Sequence, residues 1–362
     1  MRHSLLLLAF VFVTSLFAQE KPKVTSAVIA YNQSDLALAK RYIDEAEEII
    51  VEKNYNTGDD KTLAKFFFYK GEVYLGILFS QKEEVKSLDT NALEKCEDGY
   101  MRLLELEKTA KKPKYTSKAA AKIPYLTNAY ANKGIALDGA QDFTGAKNAF
   151  LRAYEIGQMP ELGDAVKADT NILFNAGIMA MKAKEYANAA EIFQNVLDMG
   201  YNGYTLVGVT PNGTEFAIPS KEIPNKRAAE QLLAGGQISE IKQTGGMRKD
   251  TYFSLISCYQ LAENQEKFNE TLAKARAEYP DDIELIKQEI QQYLNAKEYD
   301  KAINMLDEAI AKDPQNKLYY NVKGNVLQNQ MNDIEGAQAS YAKALEIDPE
   351  YPDVLYMSGL IE

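Results

Sequence analysis

The chain has 362 residues, a net charge of −11 at pH 7, one histidine, two cysteines and no tryptophan. The negative balance argues against a polyanion such as DNA as the main partner. The sole histidine is His3, so the chain beyond it cannot build a Ser-His-Asp triad, a Cys-His pair or a His-ligated metal site.

Residues 1–18, MRHSLLLLAFVFVTSLFA, join a basic start to an apolar run from Leu5 to Val13 and end on the small Ala18. That is the pattern of a cleaved secretory leader and predicts a protein that works outside the cytoplasm. No later stretch approaches the roughly 20 apolar residues of a transmembrane helix. "LALAKRYIDEAEEII" places Ala39, Ile43 and Ala46 on one helical face and predicts a lone second helix of a hairpin. "FFFYKGEVYLGILF", with Gly71 and Tyr74, predicts a first helix whose partner is delayed to "NALEKCEDGYMRLLELE". "KTAKKPKYTSKAAAK" then packs lysines from Lys108 to Lys122, predicting a basic linker or helix start with acidic partners or lipid phosphates as its functional alternative. Pro124 should kink or restart the helix.

Two further segments carry one pattern. "NKGIALDGAQDFTGAKNAFLRAYE" supplies Gly134, Phe143, Ala146, Phe150 and Ala153, and "NAGIMAMKAKEYANAAEIFQNVLD" supplies Gly177, Tyr186, Ala189, Phe193 and Val196 at the same offsets. Residues 201–248 break it. There Tyr204–Thr210 and Thr214–Ile218 are β-prone runs flanking "PNG", which predicts a hairpin. A short helix over Asn225–Leu233, closed by Gly235 and Gly236, should follow.

The pattern returns most clearly at the end of the chain. Pro280, Pro314 and Pro349 are spaced by 34 and 35 positions, with Ala275, Ala309 and Ala344 five before each and Leu272, Leu306 and Tyr341 three before those. Ala302 and Ala337 stand four before the large residue, where the first copy has Phe268. Small residues seven apart around a bulky one lie on one helical face and admit a close neighbour. Such a helical hairpin cannot bury its apolar face alone and must stack.

These units resemble tetratricopeptide repeats. The resemblance implies an all-α helix-turn-helix solenoid, a right-handed superhelix, carrying the small β-hairpin insert. The expected layout is an N-terminal array over 34–200, the insert over 201–248 and a C-terminal array over 249–362 that ends midway through a unit, as a fragment or as a helix that docks on a partner. Ile290 stands where the family has Gly, and the "QNQMNDIEGA" turn carries one extra residue. Cys96 and Cys258 should be separate buried thiols, since distant repeats do not touch; a disulfide is the alternative.

The resemblance also implies a concave groove lined by the first helix of each unit. Its lining positions fall on Phe253, Lys287, Gln291, Asn321, Asn325 and Gln328, with Tyr204 and Phe216 added by the hairpin. Lys287 and Asn325 echo the pair with which one subset of the family grips a C-terminal carboxylate, but Gln291 replaces an Asn. The layout is similar to exported multi-repeat proteins of the Bacteroidota, which implies a Gram-negative periplasm, with the protein soluble or peripheral to the outer membrane, and a role in envelope assembly or transport. The resulting expectation is a non-catalytic scaffold for a membrane-associated protein or peptide segment, with no cofactor, metal or nucleic acid. A self-assembling spacer and an Asp, Glu or Lys enzyme beside the insert are the rival readings.

Overall fold

The computed structural model describes residues 20–52, 61–160, 170–200, 206–218, 226–243 and 247–359. The leader and Tyr204 lie outside them. The chain divides into two compact units, Met1–Lys184 and Glu185–Glu362.

The first unit contains α1 (Glu20–Asn32), α2 (Leu36–Glu52), α3 (Lys61–Leu78), α4 (Glu83–Lys86), α5 (Ala92–Lys108), α6 (Thr116–Ala120), α7 (Ile123–Gly139), α8 (Phe143–Gly157) and α9 (Thr170–Lys182). Helix α1 packs on α2, α3 on α5 and α7 on α8, and α9 closes on α8. One expectation is corrected here. The α2 segment is not a lone second helix, because α1 is its partner and buries Val24, Ala27 and Ala30. Those small residues in "EKPKVTSAVIAYN" give too weak an apolar stripe to stand out as a helix face. Pro124 restarts the chain at the first turn of α7, where its missing N–H costs nothing.

The second unit holds α10 (Tyr186–Asp198), β1 (Leu206–Val209), β2 (Glu215–Ala217), α11 (Lys226–Ala234), β3 (Glu240–Gln243), α12 (Arg248–Leu261), α13 (Gln265–Glu278), α14 (Ile283–Asn295), α15 (Tyr299–Lys312), α16 (Lys317–Gln330), α17 (Ile334–Ile347) and α18 (Pro352–Gly359). Helix α10 packs directly on α12, so the stacking of helices continues past the insert. The insert exceeds the expected hairpin. It is a three-stranded antiparallel sheet of order β2-β1-β3, with Gly208 opposite Phe216 on one side and Ile241 on the other. Strand β3 lies in "QISEIKQ", which alternates too briefly to distinguish itself from a loop. Leu206, Ile218, Ala229 and Ile238 form the small core under the sheet.

The interior of each pair follows from volume matching. Ala302, Leu306 and Ala309, and likewise Ala337, Tyr341 and Ala344, are at most 1% exposed. A Cβ on Gly324 would lie 2.4 Å from the Tyr341 ring, and one on Gly71 would lie 2.4 Å from the Tyr100 ring. Where Ile290 replaces the glycine, the smaller Leu306 shares its cluster. Cys96 and Cys258 are both free and buried, and burial pushes the Cys258 thiol up to about 12.

The turns inside the pairs share one device. Ser34, Gln141, Lys184, Glu263, Lys297 and Asn332 all adopt φ between 55° and 62°. In four of these turns the next residue donates its N–H to a carbonyl five positions back, as Asp35 does to Ala30 and Glu298 to Tyr293. This is a Schellman closure made without glycine. The following Asp or Asn caps the second helix: Asp142 accepts from Gly145 N, Asn264 from Lys267 N and Asp333 from Gly336 N. The extra residue before Asp333 is absorbed by lengthening the loop, since Asp333 N–H reaches back six positions to Leu327.

In the first unit, the buried Glu107 carboxylate accepts from the backbone N–H of Lys114, Tyr115 and Thr116 and from the Thr116 hydroxyl. Burial alone would raise its pKa, but these donors outweigh it and hold the carboxyl below its ordinary value.

Two outcomes follow. Gly324→Ala should lower stability in urea unfolding by about 1–3 kcal/mol through overpacking, and pairing it with Tyr341→Leu should cost less than the sum of the two single changes. Because the folded pKa of Glu107 is depressed, its contribution is present above the unfolded pKa, near 4, and is lost as pH falls through the folded value. The stability gap between wild type and Glu107→Gln should therefore shrink in acid unfolding series.

Candidate functional site

The expected groove residues of the second unit lie on α12, α14 and α16. Their chemistry differs from one helix to the next. On α12, Phe253 is half-buried. On α14, Lys287 pairs with Glu284 at 2.7 Å and the exposed Gln291 donates to Asn295 at 2.8 Å. Both bonds run along the helix surface, so these side chains are ordinary solvated neighbours.

On α16 the amides are locked together. Asn321, 6% exposed, donates to the Tyr351 hydroxyl at 3.1 Å, and Asn325 donates to Asn321 Oδ1 at 3.0 Å. The Tyr341 hydroxyl, arriving from α17, lies 2.8 Å from Asn325 Oδ1 and 2.9 Å from Gln328 Oε1. Burial raises the Tyr341 pKa, so the phenol remains a donor throughout the physiological range. The sequence expectation presented Asn321, Asn325 and Gln328 as three amides facing a ligand. The structure ties all three to tyrosines beyond α16, Tyr341 of α17 and Tyr351 just before α18.

Beside this chain of hydrogen bonds lies a cavity of about 310 Å³ lined by Leu294, Tyr299, Val322, Asn325, Val326, Asn329 and Gln330. Its wall is apolar on the α14 and Val322–Val326 side and carries amides along α16. None of the lining residues is charged, and Lys287 is not among them. The Lys287–Asn325 pair is therefore not assembled around this space. Of the expected residues, Asn325 alone reaches it. Asn329 and Gln330 are exposed at its rim. Asn329 was legible in principle, standing one helical turn beyond Asn325, whereas Leu294 and Tyr299 belong to the end of one helix and the start of the next and share no single periodicity. In the insert, Phe216 lies in β2, paired with Gly208.

Residues 319–351 match a tetratricopeptide repeat. That stretch spans the locked amide row, the Gly324–Tyr341 contact and Tyr351, the residue before α18. The α14–α15 pair follows the same offsets, with the Ile290–Leu306 exchange. Among solved structures the chain is similar to YrrB, described as a TPR protein with an unusual peptide-binding site, at 15% identity over 72% of this chain and 97% of that one, with a TM-score of 0.39. It is also similar to MamA (15% identity, 64% and 97% covered, TM-score 0.39) and to TTC0263, a TPR protein of Thermus thermophilus (18% identity, 65% and 98% covered, TM-score 0.29). No curated protein sequence matches the chain. Among the described residues, no helix is long and apolar enough to cross a membrane.

Internal locking predicts an asymmetry between amides one repeat apart. Asn325→Leu orphans the buried partners of its side chain and should cost about 1–3 kcal/mol in denaturant unfolding. Gln291→Ala, on a solvated surface, should change stability by no more than about 0.5 kcal/mol.

Proposed function

We propose that this protein is a non-catalytic periplasmic scaffold that holds a segment of a membrane-associated protein in the groove of its second unit and supports assembly or transport in the cell envelope. The observation that carries the reading is the uncharged cavity between the end of α14, the start of α15 and α16, with an apolar wall of Leu294, Val322 and Val326 and a rim of Asn329 and Gln330. An apolar side chain of an extended segment suits the wall. Rim amides present both a donor and an acceptor, which suits the backbone of that segment.

The locked row sharpens this reading. Because Asn321, Asn325 and Gln328 are held by Tyr351 and Tyr341, the floor of the groove keeps its shape before a ligand arrives. Preorganisation of that kind reduces the ordering cost of binding. The periplasmic assignment is supported by the leader-like composition of residues 1–18.

A photoreactive residue at Asn329, irradiated in intact cells, should give a discrete adduct with a second protein that fractionates with the envelope. Val322→Arg, which fills the cavity, should abolish that adduct while the circular dichroism spectrum is retained. Adducts between copies of this chain alone would replace the scaffold with a self-assembling spacer.

A further inference from the structure

The first unit carries a second surface, of opposite chemistry to the groove. Between residues 109 and 122 the chain has five lysines and no acidic residue, in a protein of net charge −11. Lys111, Lys112, Lys114 and Lys118 are exposed and Lys122 is half-buried. Among the described residues, none of the five forms an ion pair, although ion pairs are abundant elsewhere along the chain. Instead, Lys114 and Lys118 lie 5.3 and 5.9 Å from the Tyr115 ring centre, and Lys122 lies 6.0 Å from that of Tyr125.

Those two tyrosines fix the direction of the stretch. Tyr115 stacks on Phe68 with ring centres 4.7 Å apart, and Tyr125 meets Phe79 edge-on at 5.9 Å. Phe68 belongs to α3 and Phe79 immediately follows it, so residues 115–125 run alongside that helix for about 16 Å at the helical rise. Lys114, Lys118 and Lys122 thus form a strip rather than a ball of charge. At its far end Phe79 and Tyr125 are 43% and 50% exposed, an aromatic pair left in solvent.

The strip is also rigid. Glu107 accepts from three successive backbone amides of its first part, and Tyr115 is 7% exposed against Phe68. Lys114–Lys118 and Lys118–Lys122 stand four residues apart, a spacing at which like charges repel. A buried carboxylate and a stacked tyrosine hold this mutually repelling set in place.

We propose that this strip is a docking surface for an acidic peptide segment in extended conformation. About five residues span 16 Å at the strand rise. Acidic side chains meet Lys114, Lys118 and Lys122, and an aromatic or large apolar residue at one end packs on Phe79 and Tyr125. Charge complementarity selects the occupant, and the narrow linear form favours a single chain over a broad flat surface. The site is independent of the groove, with which it shares no residue.

The test uses the full chain and a fluorescein-labelled Asp-Glu-Asp-Glu-Phe peptide followed by anisotropy. Saturable binding is expected, weakening as salt is raised because exposed charges are screened. The triple change Lys114→Glu, Lys118→Glu, Lys122→Glu should weaken binding at least tenfold. Phe79→Ser should weaken it several-fold, as should replacing the peptide's Phe by Ser. All these protein side chains are solvent-accessible, and an unchanged circular dichroism spectrum verifies the fold; Lys→Gln versions of the triple change give a second, milder series with the same expected order. The proposal is overturned if the wild type shows no saturable binding, or if charge reversal leaves the affinity unchanged. Co-sedimentation with phosphatidylglycerol vesicles in the absence of peptide binding would likewise overturn it, in favour of a lipid-facing surface.

Discussion

The array depends on how closely the two helices of a pair approach, and that distance is set by one small-against-large contact. Gly324 leaves room for the Tyr341 ring to lie against the α16 backbone, and Gly71 does the same for Tyr100 against α3. The consequence reaches beyond packing. A ring seated over a glycine carries its hydroxyl to the side chains beside that glycine, where Tyr341 meets Asn325 and Gln328 and Tyr100 meets Glu72 at 2.7 Å. The contact that brings the helices together therefore also delivers a polar group to the first helix. Where Ile290 and Leu306 take these places, no hydroxyl crosses, and Gln291 on that helix is left to bond Asn295 along the surface. One volume exchange thus accounts for the locked amide row on α16 and the solvent exposure of its counterpart on α14.

The turns explain how the pairs remain in register. A left-handed residue at a fixed place costs roughly 1 kcal/mol when it is not glycine, yet Ser34, Gln141, Glu263 and Lys297 all accept it. Each closes the carbonyl end of the first helix and hands over to the cap of the second within three residues. The satisfied backbone groups offset the strain. Asn332 shows the tolerance of the device: with one more residue in its loop, the Asp333 N–H still finds a carbonyl, six positions back, and its side chain still caps Gly336.

What was legible in the sequence was whatever repeats. The Ala-large-Ala spacing around Leu306 and Tyr341, the prolines that follow it and the Gly-aromatic offset identify the helix pairs, because they recur at one period and have one physical meaning. The first helix, Glu20–Asn32, was hidden because its buried face is built of Val24 and alanines, which carry little apolar contrast. Strand β3 was hidden because its four residues gain their identity only by pairing with β1. At the site, family spacing singled out the α16 amides but could not show that Tyr341 of α17 and Tyr351, just before α18, occupy them. A hydrogen-bond partner supplied by tertiary contact leaves no trace in the spacing of the residue that receives it.

The same reasoning separates the lysine strip from the groove as two kinds of surface. In the groove, polar groups are neutral and satisfied in advance, so a ligand gains chiefly by covering apolar wall and meeting the amides at the rim. Along residues 111–122 the reverse holds: the backbone is pinned by Glu107 and Tyr115 while the charges it presents are left without counter-ions from the protein. Elsewhere the chain pairs many of its cations, a buried one included: Lys70 pairs with Glu47 and Asp98. A protein with a surplus of carboxylates has acids to place opposite five more lysines. Their absence from this strip, together with the rigid backbone beneath it, is the arrangement in which an external acidic segment gains most, because neither partner has to break an existing ion pair to form the new ones.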